Sequence, residues 1–186
     1  MTAATARLVQ EFPAPPHHVR DSLDQLKASE GWTERERAVT DPRTIHRPWE
    51  PAKLPPETRR RLWPWLDDVA TWVNHEYGWQ SAHIIPACWP RHPHLIHELA
   101  VLACLRVIAA DATGPQPLED WHRYVLPGFC QRMTERIGPV GCPPGRHTDW
   151  PARSRYLEFT TVEAENTRNR LFEADAPRDT TEGGGR

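Results

Sequence analysis

Twenty prolines in 186 residues, eight of them within the first 56, leave few places where regular structure can run uninterrupted. Pro13, Pro15, Pro16, Pro42, Pro48, Pro51, Pro55 and Pro56 each fix φ and remove a backbone donor, so residues 1–55 read as linker. Aliphatic residues and most tryptophans gather between Leu62 and Phe159. The core has to come from that stretch, a normal size for one domain.

Within it the apolar residues recur at helical steps. Pro64 suits a first helical turn, and Trp65, Val69, Trp72, Val73 and Tyr77 then draw one stripe that Gly78 ends. A loop broken by Pro86 and Pro90 leads to a helix opening at Pro93, with Leu95, Ile96, Leu99, Leu102, Ala103 and Val107 down one face. Val101, Leu105 and Ile108 leave this helix little polar surface, which makes it the expected central and most buried one. A third helix starts near Pro117 and carries Leu118, Trp121, Val125, Phe129, Met133 and Ile137 inward, with a kink expected at Pro127. The pattern predicts an all-α protein, a small three-helix bundle over 56–160 with an irregular loop from Gly141 to Pro151. A short accessory helix is expected from His18 to Ser29, and the polar tail 161–186 is expected to be disordered.

Several function classes are excluded or weakened by composition. A net charge of −2 is no electrostatic glove for nucleic acid or anionic membrane. The longest apolar run, Leu95 to Ala112, is interrupted by His97, Glu98, Arg106 and Asp111, so no membrane helix is expected. The N-terminus lacks a signal-peptide pattern, which points to the cytoplasm and to four cysteines that are free thiols, core residues or metal ligands. There is no Gly-rich phosphate loop and no nucleophile elbow. An Asp120–His122 pair with Cys104 or Cys130 has nothing to bring it together, and an enzyme is not the favoured reading.

Three sets of residues remain as candidate sites. Cys88-Trp-Pro-Arg-His92 and Cys142-Pro-Pro-Gly-Arg-His147 supply two thiols and two imidazoles, the donor set of a closed tetrahedral zinc site. Neither pair has the two-residue cysteine spacing of the strong zinc motifs, and the alternative is two half-buried thiols beside ordinary histidines. His94 and His97 share a helix face and form a weaker metal or proton-transfer candidate. Trp79, Trp89 and Trp150 fall in predicted loops, and tryptophan is favoured at interface hot spots, so they are the candidates for binding a protein partner. Arg146, Arg153 and Arg155 close an arginine-rich segment, 123–155, able to lie along a nucleic-acid backbone; a solvated helix face is the plainer explanation.

The run Tyr77-Gly78, Ile85-Pro86, Trp89-Pro-Arg-His92-Pro93, Glu98-Leu99-Ala100 and Trp121-His122 resembles a family of small actinobacterial proteins associated with plasmids, integrative elements and phage-like islands. The likeness spans residues 72–127, and its marks are the Trp-x-x-His-Pro entry to one helix and the Trp-His pair in the next. It implies a mobile-element habitat and no mechanism. The expectation is a non-enzymatic accessory protein that binds another protein, the alternative a nucleic-acid-binding module with possible zinc support.

Overall fold

The computed structural model describes residues 8–138, 141–143, 145–148 and 150–176. Among them there is no strand; the chain is all-helical. It divides into two compact units, Met1–His147 and Thr148–Arg186.

The described residues of the first unit form six α-helices. Helix α1 spans His17–Ser29, α2 Glu34–Val39, α3 Pro56–Tyr77, α4 Pro93–Ala110, α5 Gln116–Asp120 and α6 Leu126–Ile137. A π-helical segment, Trp121–Val125, joins α5 to α6, so the kink expected at Pro127 takes the form of a wider turn just ahead of the proline. The third apolar stripe keeps its inward course through that turn, with Trp121, Phe129 and Met133 each at most 1 % exposed. Helix α3 starts eight residues before Pro64, which sits on the exposed side, where water can satisfy the carbonyl left without a donor.

Helix α4 packs against α3, α5 and α6. It is central and buries more residues than any other described helix, while Val101, Leu105 and Ile108 on its outer side are 39–47 % exposed. Its length and a mean hydropathy of 1.5 would suffice for a membrane span, despite the charges that interrupt the run. Here that apolarity serves the core, to which it gives eight buried residues. Its Glu98 is paired with Arg132 and Arg136 of α6.

Residues 8–55, expected as linker, add to the core. Val19 and Leu23 of α1 and Leu54 are core residues. Ahead of α1, the segment crosses α3, where the Trp65 and Trp72 indole N–H groups each donate to a backbone carbonyl, of Pro13 and Gln10, at 3.0 Å. Proline removes backbone donors but leaves carbonyls free to accept, so a proline-rich segment can still be fastened by tryptophans.

The second unit is a helical hairpin, α7 (Arg153–Phe159) and α8 (Val162–Asp175). Helix α8 occupies residues expected to be disordered; Thr161 caps it by accepting from the Ala164 N–H, and Glu163 and Glu165 lie in its first turn. Arg168 lies 3.9 Å over the Phe159 ring and donates to the Phe159 carbonyl. The division into units lies between His147 and Thr148, and the rest of the tail, 177–186, lies outside the described residues.

Candidate metal centre

The loop between α3 and α4 is long but firmly held. Asn74 on α3 acts as a backbone mimic: its Nδ2 donates to the Ile85 carbonyl at 3.0 Å, and its Oδ1 accepts from the Ile85 N–H at 2.7 Å. The buried Trp89 indole donates to Asp67 of α3, and the Thr134 hydroxyl of α6 donates to the Ala82 carbonyl. Gly78 lets the loop leave α3, because a Cβ there would lie 2.4 Å from the Asn74 carbonyl oxygen. Cys88 and His92 bracket the short 3₁₀ turn Trp89–Arg91, and His92 immediately precedes α4. Pro93 keeps His92 out of the helical region, at φ −111° and ψ 95°.

Cys142 and His147 arrive from the other side, on the segment after α6. Gly138, Gly141 and Gly145 have φ of 85°, 62° and 73°, a left-handed conformation that favours glycine. The Arg146 N–H donates to the Pro143 carbonyl and closes the turn that carries His147 back to the thiols.

These two segments bring four donor atoms together. His92 Nε2 lies 3.5 Å from Cys88 Sγ and 3.3 Å from Cys142 Sγ. His147 Nδ1 lies 4.0 Å from Cys142 Sγ, and no two donors are more than 4.8 Å apart. Around a tetrahedral ion with bonds near 2.3 Å to sulfur and 2.0–2.1 Å to nitrogen, donor–donor edges are about 3.3–3.8 Å. The observed set thus needs to close by about 1 Å at its widest edge. The four donor atoms lie close enough together that they could hold a metal ion.

Local electrostatics act on the two kinds of donor in opposite directions. Burial pushes the Cys88 thiol up, and a hydrogen bond with neighbouring Cys142, followed by its charge, adds to the rise, so a bound cation has to displace the Cys88 proton. Burial holds His92 below the usual histidine range, helped by His147, His94 and Arg91, and a neutral imidazole is the form that ligates. Cys104 and Cys130 are buried in α4 and α6, and burial raises the Cys104 thiol to about 12.

The other candidates fare differently. Trp89 is 4 % exposed, which corrects its place on a binding surface: its ring belongs to the core. Trp79 is 95 % exposed on the α3–α4 loop, and Trp150 is 55 % exposed in the second unit. Arg146 is exposed at its turn, while Arg153 and Arg155 are exposed on α7 of the other unit. His94 and His97 are not among the converging donors, and His122 meets Tyr77 Oη at 3.0 Å, not a thiol. The supporting roles of Asn74, Asp67 and Thr134 have no local sequence signature, because each partner is distant in the chain or defined only by the loop's path.

Comparison with family models, with curated proteins and with solved structures finds no match for this chain.

Proposed function

We propose that the chain is a zinc-stabilised helical binding module, with Cys88, His92, Cys142 and His147 holding one structural zinc ion. The convergence of four donors from segments fifty residues apart carries this reading. Two thiolates and two imidazoles complete a tetrahedral sphere and leave no position for substrate, which favours a structural over a catalytic ion. The ion clamps the glycine-shaped turn after α6 onto a loop already fastened to α3. On this reading α3, α4 and the α5–α6 pair form a three-helix bundle, with α1 as its accessory.

Function then resides in what the braced loop presents. Trp79, nearly fully exposed on that loop, is the residue we assign to a protein partner. The test of the zinc reading is purification without chelator, metal analysis and thermal melting. One zinc per chain is expected, with a melting temperature that falls on chelation and recovers with zinc; a ligand held one-hundred-fold above its Kd contributes about 2.7 kcal/mol. A chain without stoichiometric metal, whose melting ignores chelator, would reject it.

A further inference from the structure

Both thiols of the centre open onto one cleft of about 480 Å³, lined also by Ile85, Pro86, Arg91 and His147. A second cleft of about 380 Å³ reaches Cys142 from the α6 side, between Ala82 and Met133. A small neutral oxidant therefore has access to sulfur that the helical cysteines deny it. The two sulfurs lie within 4.8 Å of each other, and both face the same imidazole nitrogen. When coordinated, both are thiolates, the nucleophilic form of cysteine.

Resting on the zinc reading above, we propose that Cys88 and Cys142 are also an oxidation site, at which hydrogen peroxide exchanges the zinc ion for a Cys88–Cys142 disulfide. One thiolate attacks the peroxide O–O bond, giving a sulfenic acid and hydroxide. The second thiolate attacks that sulfur, forming the S–S bond and expelling a second hydroxide. The sulfur pair loses two electrons, peroxide is reduced, and two protons convert the hydroxides to water. Zinc, left with two neutral imidazoles, has lost both anionic ligands and dissociates. The turn that carries His147 then hangs on one covalent link in place of a four-point clamp.

The experiment treats the zinc-loaded full chain with hydrogen peroxide while a colorimetric chelator follows released zinc. Peptide mapping without reductant then locates the oxidised thiols. The expected result is one zinc released per disulfide formed, a peptide pair joining Cys88 to Cys142, Cys104 and Cys130 still alkylatable after unfolding, and recovery of bound zinc after thiol reductant. Cys88→Ser and Cys142→Ser should each abolish the cross-link. Zinc retained with all thiols reduced, or sulfinic acid on unlinked cysteines, overturns the proposal. Zinc content before oxidation separates the two readings: a chain that never binds zinc fails the metal reading itself. A zinc-loaded chain that gives no 88–142 link fails this one alone.

Discussion

Cys104 and Cys88 occupy opposite chemical situations in the same small domain. Cys104 sits in the core of α4 at 1 % exposure, and burial keeps it a thiol up to about 12. Because the raised value belongs to the folded state, the stability it protects is full below the ordinary thiol range and is lost as pH climbs from about 9 toward 12. Alkylation of the folded protein at pH 8 should therefore spare Cys104 with or without metal, while Cys88 and Cys142 react slowly when zinc-bound and faster after chelation. Mass spectrometry of timed alkylation measures this directly. Rapid labelling of Cys88 in zinc-loaded protein would contradict the assignment. Trp89 teaches the complementary lesson at this scale. Lying between prolines, it looked like a surface residue, yet its indole N–H had a buried use in reaching Asp67.

At the scale of elements, Asn74 couples α3 to the metal loop. Asn74→Ala removes both bonds to Ile85 and leaves a partly buried N–H and carbonyl unpaired, a cost of about 2 kcal/mol. Denaturant melts should show that loss, and zinc titration should show weaker binding, because Cys88 is three residues beyond the released strap. An unchanged zinc affinity would mean that the loop is ordered by the ion alone. The helices of the core were legible in the sequence, since α3, α4 and α6 bury residues at the three- and four-residue steps of their stripes. The Cys/His centre was legible as two clusters of the right donor types, although their convergence depends on the loop path and on three glycines. What the sequence hid was long-range: the carbonyls of Gln10 and Pro13 found indole donors more than fifty residues away. Helix α8 escaped notice for the opposite reason, because it buries nothing and rests on its cap and local pairs.

At the scale of the whole molecule, the boundary at His147 makes the first unit the bearer of the core and the centre. A chain ending at Thr148 should keep its zinc and melt within a few degrees of the full chain. Removing residues 1–16 should instead destabilise it by about 2–4 kcal/mol, through lost packing of Phe12 and two unpaired indole donors. Melting curves of the two truncations check both outcomes, and the opposite ranking would return the N-terminal segment to the status of linker. The clamp between the α3–α4 loop and the turn after α6 rests on one coordination sphere, and X-ray absorption at the zinc edge of metal-loaded protein interrogates that sphere directly. The account predicts two sulfur neighbours near 2.3 Å and two imidazole nitrogens near 2.0–2.1 Å, falling to one sulfur in Cys142→Ser. A shell of oxygen and nitrogen alone, unaltered by that substitution, would contradict it.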